Sequence, residues 1–293
     1  MNVEQQPVYE QLGTLYLVPT PIGHLQDMTF RAIECLKSAT LVACEDTRVT
    51  KKLCNHFHID TPLMSYHEHN KHAREEELIG KLKAGEDIAL TSDAGSPAIS
   101  DPGHELVVSC VNEGISVVPL PGANAVVPAL TASGLAPEPF VFLGFLERKK
   151  KLKVKQLLSY KNIQASLVIY ESPYRVKDTL STLEEVLGNR QVCLARELTK
   201  IHEEFIRGSC QTVREQIEER GGVKGECCLI VEGSDEQADD TSELKSTAWW
   251  SEYTLNEHIE QYIESGMTTK DAIKQTSADR NMKKREVYNA YHQ

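Results

Sequence analysis

At 293 residues the chain is long enough for two ordinary α/β lobes and a small appendage. Hydrophobic residues make up 40% and charged residues 26%, which excludes a disordered or membrane-embedded chain. The formal net charge of −11 repels phosphate, so any nucleic-acid contact has to come from local basic patches.

Met1 to Glu10 is polar and lacks the apolar core of a leader, and no stretch is apolar for long enough to span a bilayer. A cytoplasmic protein is expected. The eight cysteines include no C-x-x-C pair and sit mostly in apolar runs such as Leu41-Val42-Ala43-Cys44. Free thiols in a reducing compartment are the reading that fits.

In chain order, Leu15 to Thr20 reads as a short apolar strand, and Phe30, Ile33 and Leu36 follow at helical spacing. Next come a strand over Leu41 to Asp46, a helix over Thr50 to Phe57 and a short strand over Leu63 to Tyr66. An amphipathic helix from Lys71 to Lys83 stops at Gly85, and Ile88 to Asp93 is the fourth strand. Asp101-Pro102 has the form of a helix start, with Asp as cap and Pro in the first turn. Gly114 ends that helix, and Ile115 to Leu120 closes the set. Strands alternating with helices predict a mainly parallel, buried sheet.

A second set of strands is predicted over Phe140 to Leu146, Ser166 to Glu171, Gln191 to Glu197, Glu203 to Ser209 and Glu226 to Glu232. The third and fourth lie too close for a crossover helix, so a hairpin and a mixed sheet follow. Ser234 to Ser246 is polar and acidic, as linkers are. Beyond it Leu255, Ile259, Tyr262 and Ile263, then Thr269 to Ala278, then Lys283 to Tyr291 predict three short helices. They fit a helix-turn-helix bundle or a helical dimerisation module. The expected organisation is residues 1–123 and 124–235 as two α/β domains, 236–246 as linker and 247–293 as helical module.

Ligands gather beyond the carboxyl ends of parallel strands. Here those ends run into Pro19-Thr20-Pro21-Ile22-Gly23, Glu45-Asp46-Thr47-Arg48, Ser92-Asp93-Ala94-Gly95-Ser96-Pro97 and Pro119-Leu120-Pro121-Gly122. Neither G-x-x-x-x-G-K-[ST] nor a G-x-G-x-x-G after the first strand occurs, so neither a triphosphate cradle nor a dinucleotide fingerprint is supported. Backbone groups and carboxylates suit a ligand that carries amine, carboxylate and sulfonium charges without phosphate.

These four segments, together with Tyr170-Glu171-Ser172-Pro173 and Ala195-Arg196-Glu197-Leu198-Thr199-Lys200, resemble the ordered motifs of the tetrapyrrole-methylase superfamily. More narrowly they resemble its branch of ribosomal RNA small-subunit cytidine 2′-O-methyltransferases, over about Gly13 to Gly233. One departure is His24, which stands where the family usually has Asn, a residue more tolerant of left-handed backbone.

The resemblance implies a class III methyltransferase fold: two α/β domains with the S-adenosylmethionine cleft between them, a C-terminal helix-turn-helix-like module, and commonly a homodimer. It implies methylation of a cytidine ribose in the decoding centre of 16S ribosomal RNA, with the small ribosomal subunit as partner. Asp93, Ala94, Gly95, Ile99 and Ser100 match the cofactor loop. Pro21, Gly122, Ala123 and Ala125 are expected to line the same cleft, and Tyr170 and Ser172 its other wall.

Methyl transfer is a displacement in which alignment matters most. A ribose hydroxyl is a poor nucleophile and gains from a base or a cation. Glu45, Asp46, Arg48, Glu197 and Lys200 are the candidates. Lys200 is read as stabilising the alkoxide and Glu197 as proton acceptor, or each as half of an ion pair with Arg196 or Arg48. Asp46 is a further catalytic candidate, and Glu45 and Arg48 are assigned to substrate. His67-Glu68-His69 lacks partners at metal-ligand spacing, so no metal is expected, and His69 and Asn70 are read as touching RNA. Arg148 to Lys155 holds six basic residues in eight, and Arg148, Lys149 and Lys150 are expected to meet phosphate. Lys283, Lys284 and Arg285, next to Arg280, form a second such cluster. The competing readings are methylation of a corrinoid or sirohaem precursor on the same scaffold, and a non-enzymatic RNA-binding regulator that senses the cofactor.

Overall fold

A computed structural model of the chain describes residues 12–235, 250, 253–280 and 282–292. The polar N-terminal decapeptide and the acidic linker over 236–246 lie outside the described residues. Of the described residues, those up to Asp235 form one compact unit and those from 250 onward a second.

The first sheet joins β1 (Thr14–Leu17), β2 (Leu41–Cys44), β3 (Leu63–Ser65), β4 (Ile88–Thr91) and β5 (Ser116–Pro119), all parallel, in the order β3-β2-β4-β1-β5. Strands β2 and β4 are buried at every position because both faces are covered. Leu41, Ala43, Ile88 and Leu90 point into one core and Val42 and Ala89 into the other, which is the two-residue period of a strand. The connecting helices are α1 (Phe30–Ser38), α2 (Thr47–Phe57), α3 (Lys71–Lys83) and α4 (His104–Asn112).

Three local expectations are corrected. Helix α2 starts at Thr47 rather than Thr50, with Asp46 as its cap. Helix α4 does not start at Asp101-Pro102. Gly103 holds φ +143, and a Cβ there would lie 2.7 Å from Leu90 Cδ2, so the chain turns at the glycine and the helix begins after it. His24 takes an ordinary extended conformation at φ −83, with Nδ1 accepting from the Gln26 N–H, so no left-handed angle is needed there.

After α5 (Val126–Ser133) the second sheet comprises β6 (Phe140–Phe145), β7 (Ser166–Glu171), β8 (Gln191–Arg196), β9 (Glu204–Ser209) and β10 (Cys227–Val231). Its order is β6-β7-β10-β8-β9; β6 and β7 are parallel and the remaining pairs antiparallel. The predicted hairpin of β8 and β9 and the mixed sheet are both present. Helices α6 (Lys150–Leu158), α7 (Val176–Leu187) and α8 (Cys210–Glu219) cover one face through Leu157, Leu180, Leu183, Val213 and Ile217. Helix α5 covers the other through Ala129 and Leu130, where Ile22 from the first sheet's edge also packs. All eight cysteines are free thiols, and seven are buried.

The second unit contains α9 (Leu255–Glu264), α10 (Thr269–Asp279) and α11 (Lys284–Tyr291) around Ile259, Ala272, Ile273 and Val287. A capping box of Thr254 and Glu257 starts α9. Arg280 is not a surface cation. Its guanidinium donates to His258 Nδ1 and to the carbonyls of Trp250, Tyr253 and Thr254, and so ties the bundle together. Among the described residues no helix is long and apolar enough to cross a membrane.

Candidate active site

Strand order brings the four marked loops together. They leave β1, β2, β4 and β5, which are contiguous in the sheet as β2-β4-β1-β5, with parallel strands delivering them to one edge. The β1 and β4 loops are joined directly: the Thr20 and Gly95 amides each donate to the other's carbonyl at 2.9 Å. Ser92 Oγ donates to the Gly95 carbonyl and Thr20 Oγ1 to the Ser92 carbonyl. Gly95 holds φ +85 with Ile22 and Ala123 close by, a conformation a side chain would strain. Ala98, with a side chain, sits at φ +62 in the same loop, an outlier of the kind that clusters at ligand sites.

Pro21, Ala123 and Ala125 are half-buried along this edge, and Gly122 and Ala94 are exposed. Ile99 is 69% exposed, an apolar side chain facing open space from the predicted cofactor loop, and Ser100 beside it approaches Gly144 of the second sheet. Tyr170, one residue before the end of β7, lies among Phe142 and Phe145, whose ring centroids lie 4.9 and 5.7 Å away, and burial pushes its phenol up to about 12. Ser172 is half-buried beyond it.

The edge is acidic. Burial raises the pKa of Asp93, and it raises those of Asp101 and Glu45, where nearby carboxylates add to it. Asp93 Oδ1 accepts from the Asp46 N–H at 3.1 Å and so pins the β2 loop. Asp46 goes the opposite way: hydrogen bonds from the Arg48 side chain and backbone hold its carboxyl down at about 2. Arg48 is thereby spent on Asp46, at 2.7 Å.

Residues 197–200 face this edge from the second sheet. Lys200 Nζ lies 3.0 Å from Glu197 Oε1 and 2.8 Å from Glu226 Oε2, and a Cβ on Gly23 would fall 2.5 Å from Lys200 Cγ. The His24 amide donates to Thr199 Oγ1 at 3.0 Å. Burial works against the charge on Lys200, but the bonds to Glu226 and Glu197 carry its pKa up overall. The Glu226 amide and then Lys200 lower that of Glu197. Both Glu197 and Thr199 hold positive φ, +50 and +64, at a cost of about 1–3 kcal/mol each. The ion pairs foreseen with Arg196 and Arg48 do not form: Arg196 binds Glu204 at 2.9 Å and Arg48 binds Asp46.

Other candidates divide. Asn70 is occupied structurally, accepting from the His67 amide and donating to the Ser65 carbonyl, while His69 is exposed. Lys150 pairs with Glu185 at 2.8 Å, and Arg148 and Lys149 are exposed without an ion-pair partner among the described residues. Lys283, Lys284 and Arg285 are exposed at the start of α11. Among the described residues no group of three His, Cys, Asp or Glu side chains is disposed to hold a metal. Sequence reasoning missed Asp101, hidden behind its resemblance to a cap, and Glu226, whose pairing with Lys200 spans 26 positions.

A parallel sheet followed by a mixed one, with the first sheet's loops facing the second, defines a class. The sequence profile described as Tetrapyrrole (Corrin/Porphyrin) Methylases matches residues 14–214, and the chain belongs to that family. Among solved structures it is similar to the cobalamin-biosynthetic cobalt precorrin-4 methyltransferase, with TM-score 0.56, 16% identity, and 75% of this chain and 94% of that one covered. It is also similar to a uroporphyrin-III C-methyltransferase from Thermus thermophilus complexed with S-adenosyl homocysteine, with TM-score 0.55, 19% identity, and 75% and 97% covered. At that identity the likeness is one of fold.

Curated relatives are far nearer in sequence. Ribosomal RNA small subunit methyltransferase I of Bacillus subtilis (strain 168) is 54% identical, with 96% of this chain and 94% of the relative covered. The protein of that name from Halalkalibacterium halodurans is 52% identical, with 99% and 100% covered. That from Synechocystis sp. is 45% identical, with 94% and 96% covered.

Proposed function

We propose that this protein is an S-adenosylmethionine-dependent methyltransferase acting on the 2′-hydroxyl of a cytidine in small-subunit (16S) ribosomal RNA. The observation that carries the reading is the near-full-length identity of 45–54% to relatives with that RNA in their names, in a chain whose first-sheet loops meet Lys200 of the second sheet at one edge. The relatives match nearly the whole chain, tail included, whereas the tetrapyrrole enzymes cover three-quarters of it. RNA is therefore favoured over a corrinoid or sirohaem precursor.

The residues fit the cofactor. Glu45 and Asp101 have no ion-pair partner among the described residues, so their acidic ground suits a ligand with sulfonium and amine charges, and exposed Ile99 and the Tyr170 ring suit its apolar parts. Pro21, Asp93, Ala94, Gly95, Ser100, Gly122, Ala123, Ala125 and Ser172 would complete the hold. Bound there, S-adenosylmethionine supplies an electrophilic methyl group.

Lys200 stays protonated and offers its charge to the ribose oxygen as negative charge develops there. Glu197, acidified by its own bonds, is better suited to holding Lys200 than to taking a proton. Asp46, at about 2, is likewise a weak base and serves as helix cap and Arg48 anchor. Of these candidate carboxylates Glu45 alone is shifted toward proton acceptance. Arg148, Lys149, Lys150, His69 and the Lys283-Lys284-Arg285 cluster are taken as the RNA-facing groups. Work on ribosomal subunits is cytoplasmic work, and the reading carries a homodimer with it.

The test is transfer of labelled methyl groups to small subunits isolated from cells lacking the enzyme, followed by ribose mapping. One labelled cytidine 2′-oxygen is expected. Label on a tetrapyrrole precursor and none on RNA, or cofactor binding without transfer, would replace this reading with one of its rivals.

A further inference from the structure

A cavity of about 700 Å³ lies at the end of β6, lined by Phe145 and Leu152 and by Arg148, Lys149 and Arg175, with Glu147 its one carboxylate. That volume lies within the range small ligands occupy, about 300–1,000 Å³. Phe145 is 59% exposed, an unusual condition for a strand-end phenylalanine, and its other edge meets Tyr170, the ring assigned to the cofactor wall. The aromatic surface therefore runs from the cofactor wall into a basic pocket.

The pocket is built rather than incidental. Arg175 Nη2 donates to the Leu146 carbonyl at 2.8 Å and to that of Glu147 at 3.3 Å, fixing the segment that carries Arg148. Its Nε lies 3.3 Å from the wholly buried Glu171 Oε1. Thr179 Oγ1 donates to Glu171 Oε2 at 2.6 Å, and Lys153, only 4% exposed, donates to Thr179 at 2.8 Å. One lysine of the basic run is thus turned inward to anchor α6, which leaves Arg148 and Lys149 facing out at its start. A wall held this firmly loses little freedom when a ligand arrives.

We propose that this cavity seats one nucleotide of single-stranded RNA, its base stacked on Phe145 and its phosphate met by Arg148 and Lys149. Stacking on an exposed ring with flanking cations is how proteins grip unpaired strands without reading sequence. The charge selects the occupant: in a chain of net −11, two free cations beside an aromatic face complement a polyanion with bases. The inference rests on the RNA reading for the identity of the strand, and it adds the seat for a nucleotide next to the one methylated.

The experiment is fluorescence anisotropy of a labelled cytidine hexaribonucleotide with the full chain, titrated at salt between about 50 and 300 mM. Phe145→Ala is expected to weaken binding about tenfold at every salt concentration with the salt slope unchanged, and Phe145→Tyr to restore it. Lys149→Ala is expected to lower the slope by about one. Wild-type affinity in Phe145→Ala overturns the proposal, as does a loss of affinity that Phe145→Tyr does not restore. Sedimentation of Phe145→Ala at a lower mass than wild type also overturns it, because a second copy of the chain then covers the ring. No step needs the cofactor, so a chain that binds the oligonucleotide yet methylates nothing leaves the seat intact and removes only the proposed function.

Discussion

The two sheets hold their sites by opposite means. The parallel sheet uses backbone: tight turns, a mutual Thr20–Gly95 bridge and carboxylates left without cations. The mixed sheet uses side-chain charge: Lys200 between two glutamates, and Glu171 between Arg175 and the Thr179–Lys153 relay. The contrast teaches that one lobe presents unpaired carboxylates on fixed backbone, whereas the other ties its charges to one another in ion pairs. A single net charge of −11 conceals that division.

The sharpest way to break the comparison is to damage the backbone side alone. Gly95→Val puts a β-branched residue at φ +85, and calorimetry should show cofactor affinity down at least about 100-fold with the fold retained by circular dichroism. Near-normal affinity would mean that the turn is not the cradle. On the other lobe, Lys200→Ala should lower single-turnover methylation of subunits by about 100-fold or more with cofactor affinity kept. A parallel loss of cofactor binding would erase the distinction between the lobes.

Next in size is Glu171→Leu, which strands Lys153 and Arg175 and should cost about 3–5 kcal/mol in denaturant unfolding. Lys153 adds a pH signature. Burial lowers its folded pKa below that of a free lysine, so the unfolded chain binds more protons above that value. The stability of wild type relative to Lys153→Met should therefore rise as pH climbs from the folded pKa toward about 10.5. The smallest effect belongs to the acidic edge. Asp93, Asp101 and Glu45 titrate above their ordinary values, and a cationic ligand favours their charged forms. Cofactor affinity should fall several-fold as pH drops through that range, with proton release visible as a buffer-dependent binding enthalpy.

All ten strands were legible; the fully buried ones, such as Leu41 to Cys44 and Cys227 to Val231, appear as apolar runs. So were the four loops of the first sheet, whose prolines and glycines are local signals. What depended on distant partners was hidden. Nothing near Lys153 announces that it alone of the basic run is buried, since its partner Thr179 lies 26 positions on. Asp101 looked like a cap until Gly103 proved to turn the chain. Lys200 was found by motif, but Glu226, which helps set its charge, was not.

The Thr20–Gly95 bridge makes two loops from different strands share their amide protection. Neither N–H can open to solvent while the other's partner carbonyl stays fixed. In native-state hydrogen exchange these two amides should therefore show one opening free energy once each rate is corrected for its intrinsic exchange, and both should slow when the ligand is added. A change that loosens one side for a bulkier donor is therefore expected to release the other as well.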